Sequence, residues 1–172
     1  MSNLVLRPLT VVDEHTAREA HAELAAEGFE FLLDLRDNEP WAAYIDRLDR
    51  LRRGLDVPAD RVPATFLIAE VGGELVGRTS VRHTLNDYLA RVGGHVGYGV
   101  RQRARRRGHA TEILHRSLDL LRGLGVERAL MTCDDDNVGS ATVIQRCGGL
   151  LQDVVDDEGV LKRRYCVDLV RA

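Results

Sequence analysis

Apolar residues recur along this chain with two different periods, and each change of period marks a new element. Residues 3–9 alternate, with Leu4, Leu6 and Leu9 apolar, and predict a strand that closes near Pro8. From Thr10 or Asp13, either of which can cap a helix, Ala17, Ala20 and Leu24 share one face until Gly28 stops the helix after Glu27. A second helical stripe, Tyr44, Ile45, Leu48 and Leu51, spans residues 41–53 and ends at Gly54. Between the two helices, Phe29, Phe31, Leu32 and Leu33 follow neither period and read equally as lid or core.

Beyond a loop containing two prolines the pattern becomes strand-like. Residues 64–71 and 74–81 form a hairpin about Gly72-Gly73, and residues 94–100 a central strand. Helical spacing returns over residues 108–124, where Ala110, Ile113, Leu114, Leu118 and Leu121 make one stripe to pack on the sheet. A strand over residues 126–133, a short helix over 137–147 and a last hairpin of 150–155 with 160–169 complete the order. Strands interleaved with helices in this way imply one mixed α/β domain over residues 1–172.

The chain has 172 residues, 30% of them charged, with a net charge of −3, which excludes a general attraction to nucleic acid. Positive charge is concentrated locally: five of the seven residues 101–107 are arginine. No apolar run approaches a membrane span and the N-terminus lacks a signal-peptide pattern, so a cytoplasmic protein is expected. Cys133, Cys147 and Cys166 fit no metal or disulfide spacing and are read as free thiols. The run Asp134 to Asp136 precedes a helix start, where capping and dipole complementarity account for it better than a metal does.

The arginine run ends at Gly108, where a helix begins. A helix start offers N–H groups without partners and the positive end of the dipole, so it can hold an anion. The spacing R-x-x-G-x-A, filled by Arg105, Gly108 and Ala110 after the strand-ending Val100, resembles the pyrophosphate-binding motif of the GNAT superfamily of acyl-CoA-dependent N-acyltransferases. Residues 137–149, NVGSATVIQRCGG, are similar to that superfamily's N-x-x-[SA] helix and its glycine-ended turn. RH-x-LN, GGH-x-GYGV and CDDDN together resemble a group of bacterial GNAT proteins. The resemblance covers residue 64 to the C-terminus.

The resemblance implies a central mixed, mostly antiparallel sheet flanked by helices, opened into a V between the strand ending at Val100 and the strand at 126–133. Acetyl-CoA would be the cosubstrate. Backbone groups of Tyr98 and Val100 would line its pantetheine, and Arg105, Arg106, Arg107, Gly108, His109, Ala110 and Thr111 would hold its diphosphate. Asn137 and Ser140 would hold the pantetheine arm or thiol end. A strand N–H near Tyr98 or Gly99 could stabilise the developing oxyanion. The acceptor would be a small-molecule or peptide amine, and a homodimer is common in the superfamily.

A lysine-like amine costs about 4.6 kcal/mol to deprotonate at pH 7, so a base is useful. His95 on the central strand is the first candidate and His83 the second, facing the acceptor. The position where superfamily members frequently place an acidic tyrosine is Ile144 here, which leaves Ser140, water, Tyr98 or Tyr165 to protonate the leaving thiolate. Two rival readings remain: a CoA-binding sensor without catalysis, prompted by Ile144, and a nucleic-acid-binding module using residues 101–107.

Overall fold

The structure, a computed structural model, describes residues 3–170. Strand β1 (Leu4–Arg7) ends at Pro8, and a 3-10 turn (Val11–Asp13) leads into α1 (Glu14–Ala25). Helix α2 (Trp41–Arg52) then precedes the hairpin of β2 (Ala64–Val71) and β3 (Glu74–Arg82), and β4 (Val96–Val100) follows a short π-helical turn at Leu89–Gly93. The second half comprises α3 (His109–Gly123), β5 (Arg128–Asp134), α4 (Val138–Arg146), β6 (Leu150–Asp157) and β7 (Val160–Asp168).

The expected mixed α/β architecture forms, but its sheet is parted into two antiparallel halves, β1-β2-β3-β4 and β5-β7-β6. Among the described residues, backbone hydrogen bonding joins the two halves at one place. The His95 N–H donates to the Leu130 carbonyl at 2.7 Å, and the Leu130 N–H donates to His95 Nδ1 at 2.9 Å. Glycine is required beside this junction: Gly94 has φ 65°, and a Cβ there would lie 2.7 Å from the Leu130 carbonyl oxygen. Beyond the junction no ladder joins β4 to β5.

Side-chain alternation on β3 separates the two faces of the first half-sheet. Thr79 turns to α3, where its hydroxyl lies 2.9 Å from that of Ser117. Arg78 turns the other way, toward the segment after α1, where its Nε donates to the Phe31 carbonyl at 3.1 Å. On the α3 side Leu114, Leu118, Leu121, Met131 and Ile144 form one core; on the other, Leu24, Phe31, Leu32, Tyr44 and Ile68 form a second. The segment left open as lid or core therefore supplies core residues, Phe31 and Leu32 being fully buried, and it also walls the site described below.

Candidate active site

An antiparallel ladder alternates between residues bonded to their neighbour and residues facing away from it. The β3–β4 register pairs Arg78 with Gly99 and Ser80 with Gly97, and is bracketed by bonds from Arg82 N–H to the His95 carbonyl and from Arg101 N–H to the Val76 carbonyl. Gly97 and Gly99 therefore spend their backbone groups on β3, whereas Val96, Tyr98 and Val100 direct theirs into the opening toward β5. Of the two N–H groups considered for an oxyanion, only that of Tyr98 faces the opening. The Val100 carbonyl already accepts from Arg105 Nε at 3.0 Å.

The opening runs from the His95–Leu130 junction toward the start of α3. Gly108, at φ 83°, turns the chain into the helix in a left-handed conformation and supplies no side-chain cap. Among the described residues no protein group accepts from the N–H groups of Gly108, His109, Ala110 or Thr111. A Cβ at Gly108 would meet no heavy atom within 4 Å, so free space borders these donors. Unpartnered N–H groups beside free space at a dipole's positive end suit a phosphate or diphosphate.

The arginines around this cradle divide by position. Arg101, buried, pairs with Glu23 at 2.8 Å, Arg103 with Glu74 at 2.9 Å, and Arg105 with Glu27. Glu23 also accepts from the Gln102 N–H at 2.9 Å, so helix α1 fastens the loop from beneath. The guanidinium of Arg105, expected at the diphosphate, is thus committed to Glu27 and Val100. Arg106 and Arg107 are exposed and form no ion pair among the described residues. His109 presents its backbone, and its buried Nδ1 has no partner.

Across the opening, Asn137 caps α4 by accepting the Ser140 N–H at 3.0 Å, which occupies its Oδ1. The Ser140 hydroxyl lies 3.0 Å from the Tyr98 hydroxyl, bridging β4 and α4. Burial pushes the Tyr98 phenol up to about 12, so it keeps its proton near neutrality. Ile144 is fully buried, and Tyr165 is sealed in the core with its hydroxyl unpartnered. The acidic run is tied to β7, Asp134 to Lys162 and Asp135 to Arg163, rather than serving as helix cap. No group of three His, Cys, Asp or Glu among the described residues is placed to hold a metal ion.

The histidines stand differently from expectation. His95 accepts a backbone N–H at Nδ1, so its neutral ring carries the proton on Nε2 and has no free lone pair. Burial, more than the opposing bond from Leu130, holds its pKa below the ordinary value. His83 places its Nε2 2.7 Å from the hydroxyl of Thr65, which pairs with Val81 on the α3 side of β3. Alternation carries Ser80 and Arg82, but not His83, to the opposite face, where they line a cavity of about 380 Å³ with Phe66, Leu33 and Tyr88.

A parted sheet with a free strand edge leading to helix N–H donors that have no protein acceptor fits a class, the acyl-CoA-dependent acyltransferases. Comparison with known proteins agrees. The family profile described as "Acetyltransferase (GNAT) domain" matches residues 3–149, and the chain belongs to this family. It is an acetyltransferase, and its cosubstrate is acetyl-CoA.

Among solved structures, an acetyltransferase from Agrobacterium tumefaciens is similar at 22% identity and TM-score 0.65, covering 96% of this chain and 92% of that one. The protein yncA of Salmonella typhimurium, solved with acetyl-CoA, matches at 14% identity and TM-score 0.64, covering 98% and 95%. The Mycobacterium smegmatis protein RimJ, in complex with CoA-disulfide, matches at 18% identity and TM-score 0.67, covering 96% and 81%. These likenesses concern the fold. A search of curated proteins found no match. No helix among the described residues is long and apolar enough to cross a membrane.

Proposed function

We propose that this protein transfers the acetyl group of acetyl-CoA to a primary amine by direct attack in a ternary complex, with no covalent enzyme intermediate. The observation that carries this reading is the continuity of the opening: the Tyr98 backbone edge at one end, and the free N–H groups of Gly108, His109, Ala110 and Thr111 at the other. Acetyl-CoA supplies an activated thioester. The residues of the chain hold it, with the α3 N-terminus, Arg106 and Arg107 taking the diphosphate, the Tyr98 and Val100 edge taking the pantetheine, and Asn137 and Ser140 flanking the thiol end. Cys133 and Cys147 are buried and burial raises both thiols, which supports a route without a cysteine nucleophile.

The amine nitrogen forms the bond to the acetyl carbon while the carbon–sulfur bond breaks with its electron pair on sulfur. Of the two protons that the ammonium gives up, one ends on the thiol and one in solvent. The Tyr98 hydroxyl, kept protonated and backed by Ser140 at 3.0 Å, is the donor to sulfur in this reading. His95 acts as a strut that fastens β4 to β5, and His83 as a brace on Thr65; the amine loses its proton to water. The exposed apolar residues Leu151, Val154 and Leu161, which the register places on one face of the β6–β7 hairpin, support a homodimer through that face.

Thermal melting with and without acetyl-CoA tests the reading. At about 100 times the dissociation constant the ligand adds ~2.7 kcal/mol, a rise of roughly 5 to 11 °C for a domain of this size. No shift with acetyl-CoA, together with a shift on adding a duplex oligonucleotide, would replace the enzyme reading with the nucleic-acid one.

A further inference from the structure

Two arginines of β3, Arg78 and Arg82, have no carboxylate within 4 Å among the described residues, in a chain where most other guanidinium groups near the site are paired. Arg78 is buried to 3% exposure and spends its nitrogens on the carbonyls of Phe31, Gly97 and Glu30, with the Phe29 ring 4.4 Å away. Arg82 gives Nη1 to the carbonyls of Gly93 and Gly94, both at 3.0 Å. Its Nε and Nη2 donate to no protein group and are not sealed from solvent. Arg82 lines the cavity described above, and its Nη2 also lies beside Gly97 of β4.

Uncompensated charge on this face is unusual because burial makes it costly. Both arginines show the cost as a pKa pulled down chiefly by burial, with repulsion from Arg82 adding to the shift at Arg78. The other two cavity arginines have carboxylate partners, Arg47 pairing with Glu39 at 2.8 Å and Arg61 with Asp34. Asp60 is also on the wall, but it is exposed and forms no ion pair within 4 Å among the described residues. A ligand anion would supply the missing partner.

The location matters as much as the charge. A Cβ on Gly97 would lie 3.6 Å from Arg78 Nη1 and 3.6 Å from Arg82 Nη2, so the two guanidinium groups flank the space that glycine leaves open on β4. Gly97 immediately precedes Tyr98, whose backbone edge faces the opening. We infer that the acceptor is a small primary amine bearing a carboxylate, which pairs with Arg82 Nε and Nη2 while its amine lies against β4 at Gly97. Those two nitrogens form the fork that a carboxylate engages in bidentate fashion. The cavity of about 380 Å³ suits a molecule of amino-acid size, and its Phe66 and Leu33 walls suit an apolar side chain. Two nearby positive charges disfavour a polyamine.

This inference rests on the acetyltransferase reading, and the experiment keeps the two apart. Acetyl-CoA is first shown to raise the melting temperature. Acetylation is then measured on matched pairs: leucine with isopentylamine, and phenylalanine with phenethylamine, with spermidine and O-phosphoethanolamine as further arms. The expected result is a kcat/KM at least about tenfold higher for each amino acid than for its decarboxylated partner, no turnover of spermidine, and weaker use of the phosphate ester. Arg82→Met should bring the ratio within each pair toward one, chiefly through KM for the amino acid, while keeping the melting shift with acetyl-CoA. Arg82→Lys should retain part of the ratio.

If Arg82→Met does not fold, the wild-type ratios and Arg82→Lys decide. Equal or better turnover of the decarboxylated amines or of spermidine overturns the inference and leaves the acetyltransferase reading standing. Preference for the phosphate ester overturns the carboxylate assignment. Absence of both a melting shift and any turnover instead removes the acetyltransferase reading itself.

Discussion

Two sets of arginines lie within this site, and they use their charge in opposite ways. The run at residues 101–107 is conspicuous in sequence, yet Arg101, Arg103 and Arg105 are neutralised by Glu23, Glu74 and Glu27, so much of that charge fastens a loop. Arg78 and Arg82 are isolated in sequence, four residues apart on a strand, and have no carboxylate partner. Clustering in sequence is therefore a poor guide to where free charge faces a ligand. The helix start beside the conspicuous run offers backbone donors, and the inconspicuous pair lies on the other face of the first half-sheet, beside Gly97.

The contrast breaks first at Arg78. Arg78→Met leaves the carbonyls of Glu30 and Phe31 without this donor and removes a second donor from the Gly97 carbonyl, and should lower stability by on the order of 3 kcal/mol in urea unfolding. A loss under 1 kcal/mol would mean that these carbonyls find other partners. At the cradle, Gly108→Asp should weaken acetyl-CoA binding more than about 100-fold by calorimetry while the protein stays folded, because Asp tolerates a left-handed backbone but sets a negative charge against the phosphates. Retained affinity would move the diphosphate elsewhere.

A third test separates strut from base. His95 and His83 are both held below the ordinary histidine pKa by burial, so the unfolded chain binds protons that the folded one does not. Their contribution is complete above about pH 6.5 and is lost as pH falls below it, at up to about 1.4 kcal/mol per pH unit for each. His95→Asn should flatten part of that slope and leave the pH dependence of kcat/KM unchanged; a displaced kinetic pKa would restore His95 as base. Smaller still, Arg106→Ala with Arg107→Ala should weaken acetyl-CoA about three- to tenfold, an effect that shrinks as salt rises. Arg103→Ala, which breaks an exposed pair, should change stability by less than about 0.5 kcal/mol.

Most of the helices and strands were legible because each buries one face and carries its period in the chain. The stripe Ile113, Leu114, Leu118 and Leu121 is fully or almost fully buried, as its spacing implied. The start of α3 was legible through Gly108, whose positive φ admits few other residues. Residues 29–33 were not, because they bury side chains from irregular backbone, and so carry neither period. His83 shows a related limit: adjacency to Arg82 in sequence is opposition across a strand, and the two point to different faces.

The chain alone determined the order of elements, the GNAT resemblance and the glycine turn that opens α3, since all three are local patterns of spacing and backbone permission. Tertiary structure alone decided how the polar groups are used. Whether an arginine meets a glutamate from α1 or faces a cavity, whether His95 Nδ1 is free or holds β5, and whether Tyr98 reaches Ser140 depend on segments far apart in sequence. Charge and proton transfer act over a few ångströms, and sequence distance does not measure those.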